Sequence, residues 1–201
     1  MARLAHGWRL SAGGNITPVL IREFIRPAVR AIPSAMARQV GVSHLSLVTN
    51  LDFPDMASQW TQTGSELEIS IATEERDHHD IALELLVCVG QALWEKLTPE
   101  QSRAYWRILD AEIQTGVGGE IDEDAFREKK ALLGSTISAT SRRRLGRYGR
   151  ASFAGTAAEY VHSLWHDVHI VSGPEHLPSR PLRRRFELLE RWFPPNRGYR
   201  L

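Results

Sequence analysis

The stretch Val87-Cys88-Val89-Gly90-Gln91-Ala92-Leu93 lies inside a long apolar segment, and what surrounds it sets the fold. From Ile81 to Leu97 apolar residues fall on nearly every side of a 3.6-residue period, the pattern of a central, buried helix. Its polar residues Asp80, Glu84, Gln91 and Glu95 recur at spacings of 4, 7 and 4, which places them on one stripe. Just before it, Leu67, Ile69 and Ile71 alternate with Glu66, Glu68 and Ser70, a half-buried strand. Leu45 and Leu47 alternate in the same way over 44–49, and 57–63, centred on Trp60, reads as a weaker strand. Asp52-Phe53-Pro54-Asp55 and Gly64-Ser65 are turn chemistry. The expectation is an α+β domain: a small, about three-strand, mostly antiparallel sheet packed on a buried central helix, followed by a helical C-terminal half.

Working outward, residues 1–16 read as a flexible lead broken by Gly13-Gly14-Asn15. Thr17-Pro18 opens a helix that Pro27 kinks, and Ile32-Pro33-Ser34 restarts a short one that Gly41 ends. Thr98-Pro99-Glu100-Gln101 is a capping box for a helix to about Gln114. Gly116, Gly118 and Gly119 break it, and Asp122 caps a charged helix to Leu133. Residues 134–150, rich in Ser, Thr, Gly and Arg, read as a mobile segment. An amphipathic helix over about 151–168 follows, then Gly173-Pro174 and a last helix from Pro181 to Trp192. The whole, 1–201, reads as a single domain with an α/β core at 17–97 and a helical part at 98–201.

At 201 residues the chain is long enough for a real core, and 42% hydrophobic with 24% charged residues is ordinary for a globular protein. A net charge of +1 argues against a general polyanion binder. The one cysteine, Cys88, excludes an intrachain disulfide and a cysteine-based zinc knuckle. Met1 to Asn15 has no apolar signal-like region, and the apolar run Leu85 to Val89 is too short to span a bilayer. The expectation is a cytoplasmic protein with no membrane partner.

The order helix, three strands, buried helix and later a second long helix resembles the core of zincin-like metallopeptidases, over roughly 32–97 and 151–169. The residues carrying the likeness are Gly90 and Ala92-Leu93-Trp94, which resemble those inside and just after the H-E-x-x-H motif. In that family two histidines one turn apart bind zinc, and the glutamate between them activates the bound water. In that register Val87 and Gln91 stand at the histidine positions and Cys88 at the base. Phe153-Ala154-Gly155-Thr156-Ala157-Ala158-Glu159-Tyr160 is similar to the helix that supplies the glutamate ligand of the gluzincin branch, with Glu159 the match. The resemblance implies a degenerate peptidase, a pseudoenzyme that lacks an intact catalytic set and expects no metal.

Other residues compete for a functional role. Glu159, His162, His166 and His169 share one stripe at spacings of 3, 4 and 3, and His162 with His166 has the i, i+4 spacing of a chelating pair. The residue after His162 is Ser163, not the glutamate of a metallopeptidase, so the bland reading is a polar face carrying a few histidines. His78-His79-Asp80 reads as a helix entry, with Asp77 or His78 near the N-cap, more readily than as ligands. Glu84 interrupts an apolar segment, so it requires a partner, structural or functional. Cys88, between two valines, reads as a small buried hydrophobe. Arg142-Arg143-Arg144, Arg147, Arg150 and Arg183-Arg184-Arg185 read as a solvated surface, which makes a nucleic-acid partner a minor option.

The leading functional expectation is a catalytically inactive zincin-like protein that binds a peptide or protein partner. One alternative is a metal-dependent hydrolase with a relocated site: Glu159, His162 and His166 as zinc ligands and Glu84 as base. Another is a structural or regulatory adaptor that uses 134–150.

Overall fold

The computed structural model describes residues 1–13, 16–53, 56–134, 139–166, 173 and 175–200, without the side chains of 139–141. Among these residues five strands form a single mixed sheet: β1 (Ala2–Arg3), β2 (Arg9–Ala12), β3 (Val42–Val48), β4 (Ser58–Thr63) and β5 (Glu66–Ala72), in spatial order β1-β2-β3-β5-β4. Among the described residues the α-helices are α1 (Arg26–Ala31), α2 (Ser34–Val40), α3 (His78–Trp94), α4 (Pro99–Gln114), α5 (Glu123–Leu133), α6 (Ala139–His162) and α7 (Ser179–Trp192). The π-helical turn Leu20–Ile25 precedes α1.

This corrects the expected three-strand, mostly antiparallel sheet. β2 pairs with β3 and β3 with β5 in parallel, and only β1–β2 and β4–β5 are antiparallel. The misreading has a physical origin. Parallel sheets are usually covered on both faces and read as continuous apolar runs, whereas alternation is the habit of antiparallel sheets with one wet face. Here the parallel strands alternate because the helices cover one face only. Leu45 and Leu47 of β3 and Leu67, Ile69 and Ile71 of β5 are buried. The opposite face is polar, with Ser11 Oγ hydrogen-bonded to His44 Nε2 at 3.1 Å and to Ser46 Oγ at 3.0 Å.

Residues 1–13 of the expected flexible lead carry β1 and β2, while 14 and 15 lie outside the described residues. Leu10 is buried, β2 runs in register beside β3 from Arg9↔His44 to Ala12↔Leu47, and Trp8 is fully enclosed. The stretch is too short for a periodicity to show; what holds it is pairing with a distant strand. Residues 139–150 likewise depart from expectation. They belong to α6, one continuous helix, and Tyr148 and Gly149 are buried within it. Residues 135–138 of the segment read as mobile lie outside the described residues.

The local signals hold elsewhere. Asp77 caps α3, accepting from His79 N; Thr98 and Gln101 form a capping box on α4; Asp122 caps α5, accepting from Ala125 N. Gly64, at φ 62°, opens the two-residue turn between β4 and β5.

α3 is the central element. Leu85, Leu86, Val89 and Leu93 are all buried, each removal from water worth roughly 1.5–3 kcal/mol. α6 lies against α3, and a Cβ on Gly90 would stand 2.7 Å from the Ala154 carbonyl oxygen. Gly90 is therefore fixed by the close approach of two helix backbones.

The helical half is held by buried charges. Arg185 of α7 contacts Glu112 of α4 and Glu120; Lys129 of α5 donates to Glu120 at 3.1 Å, and Tyr148 of α6 at 2.6 Å. All of these charged groups are buried. Burial alone would raise the Glu120 carboxyl, but Arg185 and Lys129 override it and hold it down at about 2. Arg185, expected on a solvated basic surface, is thus a core residue. The i, i+3 spacing of Leu182, Arg185 and Leu188, all on the buried face, carries that signal in the sequence.

Candidate functional site

Two clusters on α3 and α6 are chemically distinctive. The first is the groove beside the positions that resemble a peptidase motif. Glu84, Val87 and Gln91 are half-buried and line a cleft of about 290 Å³, closed by Asp122, Glu123 and Ala154. A more open groove continues from Gln91 past Trp94 to Arg147 and Arg150.

The polar stripe of α3 is tied to the edge strand β4. Ser58 Oγ donates to Glu84 Oε2 at 2.9 Å, and Trp60 Nε1 donates to Gln91 Oε1 at 2.7 Å. Gln91 thus spends its amide oxygen on Trp60, and Glu84 has its expected partner in a serine. Glu95, the last of the stripe, pairs with Arg150. Asp80, the first, is exposed. Cys88 is buried, and burial pushes its thiol up to about 12, so it is no nucleophile at neutral pH. Asp122, lying against Gly155, is pushed up to about 6 by burial.

The second cluster joins the start of α3 to the end of α6. These helices run antiparallel, which brings His79 to His162, with Nε2 to Nε2 at 2.8 Å. His166, one turn on, completes a set of three imidazoles whose nearest nitrogens all lie within 4.8 Å of one another. Glu159 Oε2 stands 3.3 Å from His162 Nδ1. A carboxylate only accepts, so the His162 proton belongs on Nδ1, and Nε2 is left with its lone pair toward His79. Trp165 lies edge-on to both His162 and His166, with ring centroids 5.7 and 5.4 Å away. Burial, then the neighbouring His162 and His166, holds the His79 imidazole below its ordinary value.

The structure thus gathers the expected residues differently from the relocated site read in the sequence. His162 and His166 converge, but their partner is His79, which reads in sequence only as part of a helix entry. Glu159 contacts the far nitrogen of His162, and Glu84 is engaged with Ser58. His78 turns away, toward Thr17 Oγ1 at 3.3 Å and the Phe24 ring. His169 lies outside the described residues. His79 and His162 are far apart in the chain, so only the antiparallel pairing of α3 and α6 reveals the contact.

Four of the arginines in the basic stretches, Arg144, Arg147, Arg150 and Arg185, have partners within the protein. Arg147 pairs with Glu128, Arg150 with Glu95, and Arg144 donates to the Ala131 carbonyl. No helix among the described residues is long and apolar enough to cross a membrane. No family model, curated protein or solved structure matches this chain, so its function is read from the two clusters themselves.

Proposed function

We propose that this chain is a non-catalytic relative of the zincin-like peptidases that binds an extended peptide or protein segment in the groove lined by α3, α6 and the start of α5, beside the edge strand β4. The observation that carries the reading is the position of β4. It is the last strand of the sheet, and its Ser58 and Trp60 reach the same two residues, Glu84 and Gln91, that line the groove. An unpaired strand edge offers backbone donors and acceptors to an added strand, and a bordering groove takes its alternate side chains.

The chemistry of the groove favours binding over hydrolysis. Peptide hydrolysis by the zincin route needs a metal on at least three protein ligands and a carboxylate base at the bound water. Val87 has no donor atom, Gln91 is engaged with Trp60, and Cys88 is a buried, protonated thiol.

Screening of the intact protein against a random pool of extended peptides tests the proposal, with Val87→Arg as the groove-blocked control. Retention of a peptide subset by the parent, lost in the control with its circular dichroism unchanged, is the expected result. A pool from which the parent retains nothing, or the same subset as the blocked variant, would sink the reading.

A further inference from the structure

We propose that His79, His162 and His166 form a zinc-binding site, with Glu159 as the residue that orients His162. Three neutral imidazoles are a suitable donor set for a borderline divalent ion such as zinc, and they leave a fourth coordination position for water or another ligand. His79 sits in the first turn of α3 and His162 is the last residue of α6, so two of the donors are carried on packed helices, while exposed His166 lies in the turn that follows α6.

The geometry is close to what such an ion requires. Nitrogen atoms on a tetrahedral zinc with bonds of about 2.0 Å stand roughly 3.3 Å apart. His79 Nε2 and His162 Nε2, now 2.8 Å apart, would separate slightly. His166, at most 4.8 Å from the others and exposed, would close by rotation of its side chain. The carboxylate of Glu159 at His162 Nδ1 is the arrangement that fixes a metal-binding histidine in the correct tautomer and raises its basicity. Without an ion, one proton must serve the His79–His162 contact. With an ion, both nitrogens direct lone pairs inward and the His79 proton resides on Nδ1.

The site does not depend on the peptide-binding reading. His79 precedes Val87 by about two helical turns, and none of the three histidines lines the β4 groove. Failure of one proposal therefore leaves the other standing.

The test uses tag-free full-length protein, freed of metal with a chelator and titrated calorimetrically with zinc and spectroscopically with cobalt(II). One equivalent of zinc bound per chain, and a tetrahedral cobalt spectrum, are expected. His79→Ala and His166→Ala should each weaken zinc binding by at least about 100-fold, and Glu159→Gln by about 10-fold, within the range known for orienting residues. His176→Ala, which alters a histidine outside the cluster, should bind as the parent does. His162 is buried, and its alanine variant risks misfolding; His166 is exposed, so its variant keeps the test decisive. No stoichiometric binding, or undiminished binding by folded His79→Ala or His166→Ala, would overturn the assignment. So would an effect of His176→Ala as large as theirs.

Discussion

The guanidinium of Arg185 meets the carboxylate of Glu120 at two points, Nη1 to Oε2 at 2.8 Å and Nη2 to Oε1 at 2.9 Å, with both side chains sealed from solvent. The same guanidinium reaches Glu112, so one side chain on α7 fixes α4 and the segment before α5 together. Removing it leaves two buried carboxylates with Lys129 as the remaining cation of the knot. Arg185→Met is expected to cost at least about 3–5 kcal/mol, the range for breaking one partner out of a buried pair. Urea unfolding followed by circular dichroism measures it; a loss below about 1 kcal/mol would show that water or a rearranged lysine replaces the arginine.

Acid stability should show two opposing carboxyl contributions. Glu120 is held at about 2, below its ordinary 4.5, so its contribution is complete above about pH 4.5 and is lost as pH falls toward 2. Asp122 is raised from 3.8 to about 6, so its contribution is greatest below pH 3.8 and is lost as pH rises through 6. Asp122→Asn keeps an N-cap acceptor without the charge. Relative to the parent it should therefore gain stability between about pH 4 and pH 7, by up to roughly 3 kcal/mol. Thermal midpoints of the two proteins across that range decide this, and a difference that does not change with pH would contradict it.

Gly90→Ala should destabilise although alanine is the better helix former. Propensity favours alanine by about 1 kcal/mol. The added Cβ, however, would lie 2.7 Å from one backbone atom of Ala154 and 2.8 Å from another, and backbone cannot swing aside. A net loss of about 1–3 kcal/mol is expected from such overpacking. An equal or raised unfolding midpoint would mean that α6 can slide away from α3.

Peptide hydrolysis should be absent, with or without added zinc. The nearest carboxylate of the histidine cluster, Glu159, is occupied with His162 Nδ1, and Glu84 is tied to Ser58 in the other cluster. A fluorogenic mixed-peptide assay checks it. Chelator-sensitive cleavage that vanishes in His166→Ala would reverse the expectation.

The parts of this fold that read directly from sequence are those decided within one turn or one strand. Thr98 with Gln101, Asp77 and Asp122 mark helix starts by hydrogen bonds that span three residues or fewer, and all three occur. Leu67, Ile69 and Ile71 mark a strand by local alternation. Alternation says which face is buried but not which strand lies beside which. The chain passes from β3 to the edge, forms β4, and returns as β5 between them. Partners far along the chain were the other blind spot. Trp60 with Gln91, His79 with His162, and Glu112 with Arg185 are set by how whole elements pack. The positions that resemble a peptidase motif were legible as residues, while the work of Gln91 and Glu84 in anchoring β4 was not.

The two ends of the sheet are unequal, and this limits what the molecule can polymerise into. A filament of sheets needs a pairing edge on each side, so that each copy joins two neighbours. β4 provides six residues of edge, but the other end is β1, two residues long. Any growth through strand edges would therefore stop once two copies had joined β4 to β4. The few residues of β1 and β2 act as a chain terminator.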